Sequence, residues 1–228
     1  LAGDPGQPLS GVRVLDLTRI IAGPVCGRTL ASHGADVLLI SGPHLPSVEP
    51  LVIDTGRGKR AAHVDLRTPD GKDTLRALAR EADVFVQGYR PGAIAGHGFD
   101  PAALAALRPG IVCVTLSAYG EAGPWAGRRG FDSLLQTASG INHAEAEAAG
   151  MSEPRPLPCQ ALDHASGYLL ALGAMMALLR RAREGGSWHV RVSLAQTGRW
   201  LQQMGRLDGA LAGPDPRLED VPDLLEER

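Results

Sequence analysis

The sequence predicts an α/β fold: a doubly wound, mainly parallel sheet with helices on both faces, as in a Rossmann-like domain. Short apolar runs such as VRVLDL (residues 12–17) and IVCVTL (residues 111–116) read as buried strands. Between such runs, Thr68-Pro69-Asp70 and Asp100-Pro101 each join a capping residue to a proline at the first helical position. Strand and helix alternate, which implies right-handed crossovers and parallel pairing.

Taken in order, Val12 to Leu17 is the first strand and Pro24 to His33 a helix that Gly34 closes. Ala35 to Ile40 is the second strand, Ser41 to Arg60 a Pro/Gly-rich loop, and Ala62 to Leu66 a short third strand. Pro69 to Glu81 is a helix and Val84 to Val86 a strand; the helix opened by Asp100 ends at Arg108-Pro109-Gly110, and Ile111 to Leu116 is the next strand. Beyond Gly130 the pattern shifts. Phe131 to Ser139 reads as a helix, Ile141 to Pro158 as an Ala/Glu/Pro loop, His164 to Arg183 as a long helix and His189 to Leu194 as a strand. Residues 1–10 read as a linker, 11–200 as one large domain, and 201–228 as a connector or tail broken by Pro214, Pro216 and Pro222. Ligands of such sheets lie beyond the carboxyl ends of the strands, here Thr18 to Gly23, Ser41 to Gly42, Gln87 to Arg90 and Ser117 to Gly120.

A chain of 228 residues that is 44% hydrophobic can bury one sizeable core. Its net charge of -2, with no basic run longer than Arg180-Arg181 outside short loops, gives no electrostatic footprint for nucleic acid. The nearly uncharged stretch Tyr168 to Leu179 is shorter than the roughly 20 residues that span a bilayer, so no membrane partner is expected. Cys26, Cys113 and Cys159 are odd in number and far apart, which supports neither a disulfide framework nor a metal site and fits a reducing cytoplasm. No signal peptide is read at the start, which lacks a methionine, and the chain is expected to derive from something longer.

Asp163 lies between a turn with three prolines (Pro154, Pro156 and Pro158) and the most apolar helical stretch, CQALDHASGYLLALGAMMALLRR. Local sequence supports an N-cap that accepts from the backbone of Ser166 or Ala165. The same position also favours an ionised, partly sheltered carboxylate at a helix N-terminus. The first strand-to-helix turn, TRIIAGPVCGR, lacks the GxGxxG spacing of dinucleotide-binding proteins, and no GxxxxGK[ST] is present.

Four blocks in register resemble the family III CoA-transferases, which include formyl-CoA and carnitine-CoA transferases and methylacyl-CoA racemases. They are LSGVRVLDLTRIIAGPVCGRTLASHGADVLLI, GRGKRAAHVDLRTPDGKDTLRALAREADVFVQGYRPGAIAGHGF, RPGIVCVTLSAYGEAGPWAGRRGFDSLLQTASG and LDHASGYLLALGAMMALLRR, and the resemblance as a whole runs from Leu9 to Thr197. The resemblance implies that Asp163 is a nucleophile. Its carboxylate would attack an acyl-CoA thioester, giving an aspartyl anhydride from which CoA passes to an incoming carboxylic acid. It further implies CoA contacts at Ile21 and Ala22, at Val64, Asp65, Leu66 and Arg67, at Gly88, Tyr89 and Arg90, and at Arg129, Gly130, Phe131 and Asp132. Arginine pairs bidentately with phosphate, which suits Arg67, Arg90 and Arg129 to that end of the ligand.

The resemblance also implies a homodimer and a small second domain after the region seen here; no metal is expected, from the cysteine spacing. Departures from the family pattern are Ser41-Gly42-Pro43 in place of an acid with a neighbouring arginine, and Ile21, Gly88 and Gly96 in place of polar residues. Phe131 stands where racemases carry a histidine base, so a racemase or isomerase on this scaffold lacks one of its two proton-transfer groups. A catalytically incomplete CoA-binding fragment or subunit is the other alternative.

Overall fold

The structure, a computed structural model, describes residues 6–207, 209 and 217–222. The first half of the expected linker and most of the expected tail beyond residue 207 lie outside the described residues. The elements are β1 (Arg13–Leu17), α1 (Ala22–Ser32), β2 (Asp36–Ser41), α2 (Glu49–Thr55), β3 (Lys59–His63), α3 (Pro69–Glu81), β4 (Val84–Gln87), α4 (Pro101–Leu107), β5 (Val112–Ser117), α5 (Asp132–Ala138), α6 (Ile141–Ala148), α7 (Ala161–Glu184), β6 (Trp188–Ser193) and α8 (Leu194–Gln203).

All five neighbouring strand pairs are parallel, in the order β3-β2-β1-β4-β5-β6. This is the doubly wound sheet that the alternation predicts. Strand order reverses between β1 and β4, which leaves a crevice at their carboxyl ends. Because successive side chains point to opposite faces, Val14 and Val84 pack with Cys26 and Leu30 of α1 and Leu170, Ala171 and Ala174 of α7. Their neighbours Leu15 and Phe85 pack on the other face with Leu75 and Ala79 of α3 and Leu104 of α4. Both faces are thus covered at the middle of the sheet, and the central strands β4 and β5 are buried along most of their length for that reason.

The two cap signals hold. Thr68 Oγ1 accepts from the Gly71 amide at 3.0 Å, and Asp100 Oδ1 accepts from the amides of Ala102 and Ala103, both at 3.0 Å. Elsewhere the elements differ from expectation. The loop from Ser41 to Arg60 contains α2, with Pro50 in its first turn. The third strand is β3 at Lys59–His63, upstream of Ala62 to Leu66, since it forms the sheet edge and its charged residues escaped an apolar-run criterion. The loop from Ile141 to Pro158 contains α6, whose Ala and Glu are good helix formers. Ser193 ends β6 and caps α8 by accepting from the Gln196 amide. By length and composition α7 would pass for a membrane span, but it packs on α1, β5 and β6 as a core helix.

Candidate active site

The turn from β1 into α1 is strained. Ile20 has φ +73°, the left-handed region, which a β-branched residue adopts only at a cost. Beneath it Asp16, inside β1 and fully buried, accepts from the Thr18 amide at 3.1 Å, from the Thr18 hydroxyl, and from Lys59 Nζ at 2.8 Å. Lys59 also donates to the Pro24 carbonyl at 2.8 Å. One buried ion pair therefore ties β1, β3 and the first turn of α1 together.

Two glycines let this turn meet its surroundings. A Cβ at Gly23 would stand 2.3 Å from Thr18 Cβ. A Cβ at Gly167, one turn along α7 from Asp163, would stand 2.7 Å from the Ala22 carbonyl oxygen and 2.6 Å from Val25 Cβ. The head of α7 is thereby seated on the head of α1, at the carboxyl edge of the sheet.

Asp163 lies there, 6% exposed. The structure corrects its capping role: α7 begins at Ala161 with Gln160 in the cap position, and Asp163 is inside the first turn. Its backbone amide donates to Asp132 Oδ2 at 2.9 Å, while among the described residues nothing donates to its own carboxylate. Burial first, and the negative charge of Asp132 second, push the Asp163 carboxyl up to about 7. A buried carboxyl whose proton is held toward neutrality is suited to covalent or proton-transfer chemistry.

Asp132, 1% exposed at the start of α5, is itself held by Gln136 Nε2. Sequence reasoning had Asp132 among the ligand contacts; buried beneath Asp163, it presents no surface to a ligand in this structure.

A second group of residues gathers around a pocket at the carboxyl ends of β1, β2 and β4. Leu17, Ile40, Val64, Leu66 and Ile94 give it apolar walls, and Tyr89, Arg67, His44 and His97 line its polar part. Among the described residues His97 Nδ1 is buried without a hydrogen-bond partner. Asp65 grips Arg67 through Nε at 2.9 Å and Nη2 at 2.7 Å, and the guanidinium holds the Asp65 carboxyl well below the usual carboxylate range. Leu17 lines the pocket and Ala22 meets α7, so the strained turn runs between the two groups.

Of the residues expected to bind ligand, Val64, Leu66, Arg67 and Tyr89 share this pocket, and Asp65 orients Arg67 beside it. Ile21 and Ala22 are buried at the head of α1. Gly88, Arg90 and Arg129 are exposed and outside the pocket lining, Gly130 is half-buried against Ala118 and Leu135, and Phe131 is 61% exposed. Sequence reasoning missed Asp16, Lys59, Gln136, His44 and His97. An acid inside the apolar run VRVLDL signals a buried partner; nothing comparable marks Gln136. Among the described residues no group of three or more His, Cys, Asp or Glu could hold a metal ion.

Comparison with known proteins identifies the family of the chain. Residues 9–222 match the model of CoA-transferase family III. The "Probable fatty acyl-CoA transferase Rv3272" of Mycobacterium tuberculosis is 34% identical over 96% of this chain and 59% of its own length. The succinate–glutarate CoA-transferase of Agrobacterium fabrum is 31% identical over 82% of this chain and 51% of its own. The crystal structure of Rv3272 superposes with a TM-score of 0.80, covering 88% of this chain and 58% of that one at 33% identity. That of a CAIB/BAIF family protein from Brucella suis gives 0.81, covering 93% and 60% at 29% identity. The chain thus spans little more than half the length of these relatives. With a family match over nearly its whole length and a superposition that takes in the sheet and its helices, the chain belongs to CoA-transferase family III.

Proposed function

We propose that the protein is an acyl-CoA:carboxylate CoA-transferase in which Asp163 is the nucleophile. The observation that carries this reading is the position of Asp163, buried at the meeting of α1 and α7 with no hydrogen bond spent on its carboxylate among the described residues. The transferase names of its relatives support the reaction class.

A carboxylate oxygen of Asp163 attacks the thioester carbonyl carbon, the C–S bond breaks, and CoA leaves as the thiolate from an acyl-aspartyl anhydride. The thiolate then attacks the aspartyl carbonyl and releases the first acid as its carboxylate. The incoming carboxylate displaces the thiolate again, and the thiolate takes the new acyl group, restoring Asp163. Each step exchanges one acyl bond for another, so no oxidant is consumed.

The pocket fits the nucleotide end of CoA. Its apolar walls and Tyr89 suit a flat ring, Arg67 suits a phosphate, and the unpartnered His97 Nδ1 suits a ring polar group. From there a pantetheine arm would follow the Thr18–Ile21 turn to Asp163. Incubating the protein with acyl-CoA and hydroxylamine and mapping the modification by mass spectrometry tests the proposal. A hydroxamate at Asp163 is expected; folded protein unlabelled by several acyl-CoAs overturns it.

A further inference from the structure

Asp163 is a short side chain on a backbone that could shift, since the segment before it, Met151 to Gln160, contains no helix or strand. Two buried side chains of α5 hold that segment. Asp132, 1% exposed, accepts the Asp163 amide proton on Oδ2 at 2.9 Å. Gln136, 2% exposed, donates through Nε2 to Asp132 Oδ1 and to the Cys159 carbonyl at 3.2 Å, and accepts from the Leu157 amide on Oε1 at 2.9 Å. The four bonds form one chain from residue 157 to residue 163, and it passes entirely through these two side chains.

We propose that Asp132 and Gln136 are a positioning pair for Asp163: Asp132 fixes the backbone of the nucleophile and Gln136 fixes the irregular segment that leads to it. This rests on Asp163 being the acyl acceptor. Neither residue touches ligand, since both are buried beneath the site. Their orientation is mutually determined. Gln136 must present its amide nitrogen to Asp132 because its oxygen is taken by Leu157, and Asp132 can then only accept. A buried carboxylate is a costly way to hold one amide, but here it receives two donors and leaves none unsatisfied. The same charge lies close enough to Asp163 to oppose its ionisation, so the pair orients the nucleophile and keeps it basic.

The test compares Asp132→Ala, Asp132→Asn, Gln136→Leu and the double variant Asp132→Asn/Gln136→Glu with the wild-type protein. In Asp132→Asn the new amide turns its oxygen to the Asp163 backbone and its nitrogen to residue 136, where the native glutamine offers a second donor and a glutamate an acceptor. The expected result is a loss of roughly tenfold or more in the rate of hydroxamate formation at Asp163 for Asp132→Ala and Gln136→Leu, the scale of a misplaced catalytic group. KM for acyl-CoA should stay within about twofold, because uniform binding is untouched. Asp132→Asn should be slow and the double variant faster than it. Melting temperatures serve as the folding control, and if Asp132→Ala fails to fold the comparison of Asp132→Asn with the double variant decides. Wild-type labelling with equal rates in the variants, or a rise in KM without a fall in rate, overturns the pair alone. No label at Asp163 in the wild type overturns the reading beneath it as well.

Discussion

Gly167 of α7 faces the carbonyl of Ala22 in α1 so closely that a Cβ would stand 2.7 Å from that oxygen. Backbone cannot yield as a flexible side chain can, so the helices must part. Gly167→Ala should therefore destabilise by about 1–3 kcal/mol in urea unfolding, the usual cost of overpacking. It should also slow labelling of Asp163, one turn away. Gly96→Ala, where a Cβ meets nothing within 4 Å, is the control and should leave both unchanged. Equal stability of the two variants would show that the α1–α7 contact relaxes freely.

The ion pair of Asp16 and Lys59 is 0% and 1% exposed at its side chains. Removing one partner strands the other in the core. Lys59→Met should cost about 3–5 kcal/mol, because it leaves the buried Asp16 carboxyl without its partner. Asp16→Asn/Lys59→Met should lose clearly less than the sum of the single losses, and a double-mutant cycle by denaturant unfolding measures the coupling. Strict additivity would mean that the pair contributes only packing.

Much of the fold was legible because its signals are local. Thr68 and Asp100 announce their helices within four residues, and VRVLDL and IVCVTL carry the apolarity of strands covered on both faces. β3 was misread for a physical reason: KRAAH at a sheet edge has no apolar face, and Lys59 is buried only because Asp16, 43 residues away, receives it. The site divides in the same way. Asp163, Val64, Leu66, Arg67 and Tyr89 were accessible through family resemblance. Gln136 was not, since its role depends on Leu157 and Cys159, which only the tertiary fold brings to it. Asp132 was singled out as a position, but its bonds to the Asp163 amide and to Gln136 are tertiary and no motif announces them.

Arg67 and Arg90 separate pocket from surface. Arg67 lines the pocket and is oriented by Asp65, whereas Arg90 lies outside it. Arg67→Ala should weaken CoA binding about tenfold by calorimetry, the effect of losing one charge-assisted phosphate pair. Arg90→Ala should change it little. Loss should shrink as salt is raised, since an exposed pair is screened. The opposite ranking of the two variants would move the phosphate site away from the pocket.

Asp163 couples activity and stability to pH in opposite directions. Burial and Asp132 raise its carboxyl from 3.8 to about 7 in the folded protein. Between those values the unfolded chain has released this proton and the folded protein retains it. The unfolded state therefore binds fewer protons, and stability from this group falls as pH rises from about 4 to 7, then levels off. At 1.36 kcal/mol per pKa unit the loss is on the order of 4 kcal/mol. Asp163→Asn has no such proton to lose, so its stability advantage over wild type should grow across that window in urea unfolding at successive pH values. Labelling of wild type by acyl-CoA requires the carboxylate and should instead rise through about pH 7 to a plateau, with none in Asp163→Asn. A pH-independent difference in stability, or labelling that is already maximal at about pH 5, well below the raised value, would place the Asp163 carboxyl in water rather than buried at the head of α7.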